Sequence, residues 1–226
     1  MTTDGQTPTC RVIASIALLA CSVLLPASAR ADYDFSLSLG YAHVSLDDAP
    51  DPFDSRGGFR IEPRFSFGVS DELPQLRLGV GMGISGFAKT FDEDEDDDFV
   101  VIDGEVFFFD VDDEESLTLI TPEFQVSWRQ RLGEDGRWFI EPGVGVGAVI
   151  AEYWVGETFG WWTDTDVSEW DVTFGARPFL RAGYLADRWL VGMEVSYLWG
   201  GEMEFTDEVH GDIEELYVGV FFGGRR

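Results

Sequence analysis

Between Phe35 and Phe222 a period of two in apolar residues recurs in segment after segment, and it constrains the chain more than any other feature. Successive side chains of an extended strand point to opposite faces, so the pattern predicts β-strands, and no helix-period segment rivals it beyond residue 31. Eight segments carry it. In the first, Phe35, Leu37, Leu39 and Tyr41 alternate with Ser36, Ser38, Gly40 and Ala42; in the second, Phe59, Ile61, Phe65, Phe67 and Val69 alternate with Arg60, Glu62, Arg64, Ser66 and Gly68. The third sets Leu76, Leu78, Val80, Met82 and Ile84 against Arg77, Gly79, Gly81, Gly83 and Ser85, and the fourth Ile120, Phe124, Val126 and Trp128 against Thr121, Glu123, Gln125, Ser127 and Arg129. The fifth sets Ile140, Val144, Val146, Ala148 and Ile150 against Glu141, Gly143, Gly145 and Gly147; the sixth sets Val172, Phe174, Ala176, Leu180 and Tyr184 against Thr173, Gly175, Arg177, Arg181 and Gly183. The last two are Trp189, Val191, Met193, Val195 and Tyr197 against Gly192, Glu194 and Ser196, and Leu216, Val218, Val220 and Phe222 against Glu215, Tyr217 and Gly219.

Alternation fits a soluble sandwich as well as a membrane barrel. Two features favour the barrel. Residues 47–57, 91–116, 154–169 and 200–212 read as long connections and 70–74, 131–137 and 186–188 as short ones, the asymmetry of an antiparallel up-and-down barrel with long loops at one rim and tight turns at the other. Amphipathic aromatics gather at both rims: Trp128, Trp138, Tyr184 and Trp189 beside the short turns, Tyr41, Tyr153, Trp154, Trp170, Tyr197 and Trp199 near the long loops. Such rings settle at the two membrane interfaces, and the apolar set between them carries no charge. A closed barrel also leaves no free edge, which hydrocarbon would not tolerate. The expected architecture is therefore all-β, a single transmembrane barrel of about eight strands.

Residues 12–25 form an apolar run behind Arg11, followed by Ala27, Ala29 and Ala31, the order of a secretory signal with cleavage after Ala31. The expected organisation is a signal peptide, 1–31, and one barrel domain, 32–226. Leu18-Leu19-Ala20-Cys21 also resembles a lipobox, which leaves lipidation of Cys21 as an alternative. Cys10 and Cys21 both precede residue 32, so the exported chain is expected to carry no thiol. Acids outnumber bases 43 to 15, a net charge of -28, which argues against nucleic acid as a partner and makes cations the natural counter-charges.

Pro63, Pro122, Pro142 and Pro178 fall on apolar parity inside strands and predict bulges or broken ladders, because proline lacks the ladder donor. The glycine-alternating strands Leu76-Arg77-Leu78-Gly79-Val80-Gly81-Met82-Gly83 and Ile140-Glu141-Pro142-Gly143-Val144-Gly145-Val146-Gly147, with the closing strand 216–222, resemble the OmpA/OmpX-like outer-membrane β-barrel superfamily across the whole chain after residue 31. One departure stands out. Such barrels often end on an aromatic residue, whereas Phe222 is followed by Gly223, Gly224, Arg225 and Arg226. The resemblance implies a bacterial outer-membrane location, contact with membrane lipid and lipopolysaccharide, and handling by the outer-membrane assembly machinery.

An eight-stranded barrel is just wide enough to be filled by its own side chains. Parity sends Arg60, Glu62, Arg64, Arg77, Glu123, Arg129, Glu141, Arg177, Arg181, Glu194 and Glu215 inward. Nearly balanced in sign, they are expected to form an ion network that closes the lumen, since unpaired charges there would be costly. A narrow gated pathway along the same residues, a small channel, is the alternative. Catalysis has little support: His43 and His210 are the only histidines, and no cofactor or catalytic motif is present. His43-Val44-Ser45 does place two reactive types on one strand face, an arrangement similar to the His-x-Ser pair of lipid A deacylase barrels, with Asp47 or Asp48 as possible acids.

Residues 91–116 hold 14 acids and no base. Calcium or magnesium could be bound there, bridging to lipopolysaccharide phosphates, although Asp97 stands where an EF-hand needs glycine; a solvated, self-repelling loop is the plainer reading. Within that segment residues 100–107 read as a hairpin through Asp103-Gly104 that extends the third and fourth strands beyond the membrane. Phe159, Trp161 and Trp162 mark residues 154–170 as a surface for sugars or partner proteins, or for packing between loops. The function read from the sequence is thus a structural or surface-interaction barrel.

Overall fold

The computed structural model describes residues 32–46, 55–70, 72–91, 98–102, 105–109, 112–159, 162–205 and 210–226. The expected signal segment, residues 1–31, lies outside them. The elements are β1 (Tyr33–Leu46), β2 (Ser55–Gly68), β3 (Leu76–Phe91), β4 (Asp98–Ile102), β5 (Glu105–Phe109), β6 (Asp112–Trp128), β7 (Gln130–Leu132), β8 (Trp138–Phe159), β9 (Trp162–Leu185), β10 (Trp189–Glu204) and β11 (His210–Arg225). Hydrogen bonding runs in the order β6-β3-β2-β1-β11-β10-β9-β8-β7, and β6 also pairs with β8, which closes the sheet. Arg129 alone separates β6 from β7, and both lie antiparallel to β8. Counted as one strand, they make this an eight-stranded antiparallel barrel without an edge.

The seam is long. Strands β1 and β11 stay in register from Asp34 opposite Arg225 to Leu46 opposite Ile213. At one rim β2 ends at Gly68 and β3 begins at Leu76, β7 and β8 are separated by residues 133–137, and β9 and β10 by 186–188. Gly133 and Gly136 take positive φ in the second of these turns, where glycine has no Cβ to clash.

Residues 200–212 differ from their reading as a long loop, since β10 runs to Glu204, which pairs with His210 of β11. Residues 154–169 differ likewise. Strand β8 continues to Phe159 and β9 starts at Trp162, paired through Phe159 opposite Trp162. Threonine, valine and aromatic residues supply β-propensity there that outweighs the glycines and acids. The reading of 100–107 as a hairpin meets a short antiparallel pair, β4 with β5, in a sheet of its own; Asp103 and Gly104 lie outside the described residues. Strands β3 and β6 are themselves paired as far as Phe91 opposite Asp113.

Each strand proline interrupts one ladder without shifting its register. Pairing of β2 with β3 stops at Ile61 opposite Ile84 and resumes at Arg64 opposite Gly81, across Pro63. The β6–β8 ladder breaks likewise at Pro122, the β9–β10 ladder at Pro178, and Pro142 sits at the break between the β6 and β7 pairings with β8. The other neighbour of each proline stays paired, as Leu37 does with Pro63. In antiparallel sheet the N–H and C=O of one residue point to the same neighbour, so proline removes a donor on one side only. The register irregularities lie elsewhere, at Trp199/Glu202 and Val155/Gly156. Bulges at the prolines are therefore not what the fold uses.

Candidate functional site

The outward face is apolar. Phe35, Phe124, Phe174, Met193, Val220 and Phe222 all stand exposed, Phe174 at 80%. Between the two aromatic rims, the outward-facing described residues include no charged side chain. Trp138 lies against Tyr184 at 5.2 Å and Tyr184 against Trp189 at 6.1 Å beside the short turns, while Tyr197 and Trp199 meet at 5.0 Å near the other rim. At roughly 3.3 Å per residue and a tilt of roughly 40°, the stretch from Trp189 to Trp199 rises about 25 Å, the height of a barrel's apolar band. This is the form of a transmembrane β-barrel. One member of the aromatic rim moves: Tyr153 has inward parity and lies buried against Phe205 at 5.7 Å. A charge at mid-band tests the outward face. Met193→Arg is expected to cost about 2–4 kcal/mol in bilayer folding measurements and Met193→Leu almost nothing; equal stabilities would contradict lipid contact there.

The lumen has three layers. At mid-height, Glu62 accepts from Arg60 at 2.8 Å, Arg64 at 2.6 Å and Arg177 at 2.9 Å, three guanidiniums on one carboxylate. Arg60 also reaches Glu215 at 2.9 Å, and Arg64 reaches Glu194 at 2.7 Å. Glu194 lies 3.3 Å from Arg181, and Glu123 lies 3.8 Å from Arg177 and accepts from Gln125. Ser85, Thr121 and Ser38 complete the layer: Ser85 donates to Glu215, Ser38 donates to Glu194 at 3.3 Å, and Thr121 accepts from Arg60 and Arg177, each at 2.9 Å.

Toward the short turns, Arg77 meets Asp34 at 2.9 Å, and Arg129 binds both Asp34 and Glu141. Thus Arg60, Glu62, Arg64, Arg77, Glu123, Arg129, Glu141, Arg177, Arg181, Glu194 and Glu215 are all buried and joined by ion pairs. Asp34 is a member that sequence reasoning misses. It sits one step before the recognised segment, yet shares parity with Ser36 and Ser38.

Guanidinium faces are covered as well as their edges. Arg64 lies over Phe179 at 4.4 Å, Arg129 over Phe139 at 4.8 Å and Arg181 over Phe221 at 3.8 Å. These inward phenylalanines stabilise desolvated cations through the negative ring face. Glycine makes the room: a Cβ on Gly83 would stand 1.7 Å from Arg60 Nη2, and one on Gly145 would stand 2.5 Å from Glu123 Oε2.

The third layer corrects the expectation of an ion network alone. Toward the rim opposite the short turns the lumen is packed with Ala42, Val44, Leu119, Ala151, Leu198, Met203 and Ile213, together with Phe87, Tyr153 and Tyr217. A mainly apolar cap, in which Arg56 is also buried, therefore lies above the charged layer. Polarity no longer alternates there, because Leu119 and Ile120, or Val149 and Ile150, are apolar on both faces.

His43 and Ser45 stand on the outward parity of β1, with Glu214 of β11 opposite Ser45. Glu214 accepts a hydrogen bond from Tyr197. Among the described residues no hydrogen bond joins His43 to Ser45, and Asp47 and Asp48 lie outside them. The acids 92–97 and Trp161 also lie outside, and no group of three His, Cys, Asp or Glu side chains suited to a metal occurs among the described residues.

No family model matches the chain. No curated protein matches it either. Its course is similar to that of several solved structures: Neisserial surface protein A at 9% identity and a TM-score of 0.49, covering 85% of this chain and 96% of that one; the outer membrane protease OmpT from Escherichia coli at 9% and 0.45, covering 87% and 96%; and a major outer membrane protein from Thermus thermophilus at 12% and 0.44, covering 84% and 99%.

Proposed function

We propose that this chain is an integral outer-membrane barrel protein with a closed lumen, serving a structural or surface-interaction role at its long-loop rim. The observation that carries this reading is the filled interior, an ion-paired layer whose charges are spent on one another beneath an apolar cap. A solute path would have to cross both. The surface role falls to the acidic residues 92–98 and the aromatic residues of 154–170, with lipopolysaccharide and divalent cations as the partners such chemistry suits. The outward band would contact membrane lipid, and insertion would need the outer-membrane assembly machinery.

Single-cysteine labelling tests the placement, because Cys10 and Cys21 both precede residue 32. Ser168→Cys, beyond the long-loop rim, is expected to react with a membrane-impermeant maleimide on intact cells. Asp135→Cys, in a short turn, is expected to react only after the outer membrane is opened. The reverse pattern would contradict the assignment of the surface rim.

A further inference from the structure

At the short-turn mouth of the barrel lies a pocket of about 250 Å³, lined by Pro74, Gln75, Arg77, Arg129, Gln130 and Arg131. Three arginines and two glutamines line it, and among the described residues no carboxylate does. Its construction follows from the break at Arg129. That residue leaves the β6 ladder and donates its backbone N–H to Gln75 O at 2.7 Å, which ties the end of β6 to the turn before β3. Inward parity then brings Arg77, Arg129 and Arg131 to one mouth.

The acids around the pocket are already shared. Arg77 and Arg129 both bind Asp34, Glu141 is taken by Arg129 at 2.6 Å, and Asp32 lies 3.2 Å from Arg225 and 3.8 Å from Arg131. Four cations thus meet three anions. Arg129 is buried to all but a few per cent, and its Nη2 has no hydrogen-bond partner. A buried guanidinium N–H left unmade is costly, and a planar fork of such donors matches an oxyanion.

We propose that this mouth pocket binds a phosphate group of a small soluble compound, entering from the short-turn side. The pocket's cations, Arg77 and Arg129, point into the lumen and away from lipid, which favours a soluble phosphate over a lipid headgroup. Arg131 is the natural probe, because its side chain is half exposed and its removal leaves the buried pairs in place.

The test uses the full barrel refolded in zwitterionic detergent and titrated calorimetrically with inorganic phosphate, against chloride at equal ionic strength. Saturable phosphate binding is expected, weakened at least tenfold by Arg131→Gln and unchanged by Arg137→Gln, an exposed arginine outside the lining. Binding no stronger than that of chloride would overturn the proposal, as would equal affinity in Arg131→Gln. A third arm adds vesicles containing phosphatidylglycerol: binding to these with none to inorganic phosphate would assign the rim to lipid and overturn the soluble ligand. None of these outcomes depends on whether the lumen conducts.

Discussion

Replacing Glu62 by glutamine is expected to lower the unfolding free energy of the barrel by about 3–5 kcal/mol. The substitution keeps the shape and removes the charge. Arg60, Arg64 and Arg177 all donate to this carboxylate, which is completely buried. Glutamine offers one carbonyl oxygen and brings two N–H donors into a place crowded with donors, so the guanidiniums lose a counter-charge that water cannot replace. Arg60 retains Glu215 and Arg64 retains Glu194, which is why loss of stability is expected and not loss of the fold. Urea unfolding in phospholipid vesicles reads the effect, with Glu134→Gln in the exposed turn as a control expected to leave the midpoint unchanged. A loss below about 1 kcal/mol for Glu62→Gln would mean that the lumen is hydrated at mid-height.

The second large effect is expected at Gly83. A Cβ there overlaps the guanidinium of Arg60, 1.7 Å from Nη2 and 2.1 Å from Cζ. An arginine end usually yields cheaply. Here it is held by Glu62, Glu215, Ser85 and Thr121, so yielding means leaving all four. Gly83→Val is therefore expected to cost at least about 3 kcal/mol, overpacking and broken pairs together. Combining it with Arg60→Met removes the overlap. The double variant is expected to be more stable than the sum of the single losses by about 2 kcal/mol, a coupling that distant sites would not show. Additive losses would contradict the contact between these two positions.

These two positions show what can be read from the chain alone. A strand offers only two faces, so once the apolar face is recognised every intervening residue is assigned to the other. That reasoning places Arg60, Glu62 and Gly83 on one side without coordinates. It does not say that Glu62 collects Arg177 from across the barrel, because that contact depends on register and on barrel closure. Nor does it explain the glycines of β3 and β8, whose role emerges only when the volume of the facing guanidinium is known.

Where the two faces cease to differ, parity loses its signal. Leu119 and Val149 point into the lumen beside Ile120 and Ile150 on the opposite face, so the cap is hard to read in the sequence, and Tyr153, next to Trp154, reads as a membrane-interface residue. Residues 154–169 mislead for a different reason. Their glycines and acids signal a loop, and the pairing of β8 with β9, available only in the folded barrel, carries them into a hairpin.

The central claim is that the lumen is closed, and single-channel recording in a planar bilayer tests it most directly, on the refolded wild type and on Arg177→Ala/Arg181→Ala. Both proteins are expected to be silent, because the apolar cap remains when the two arginines are removed. Reproducible conductance steps in the wild type, altered in size by the double variant, would contradict the account and make this barrel a small channel.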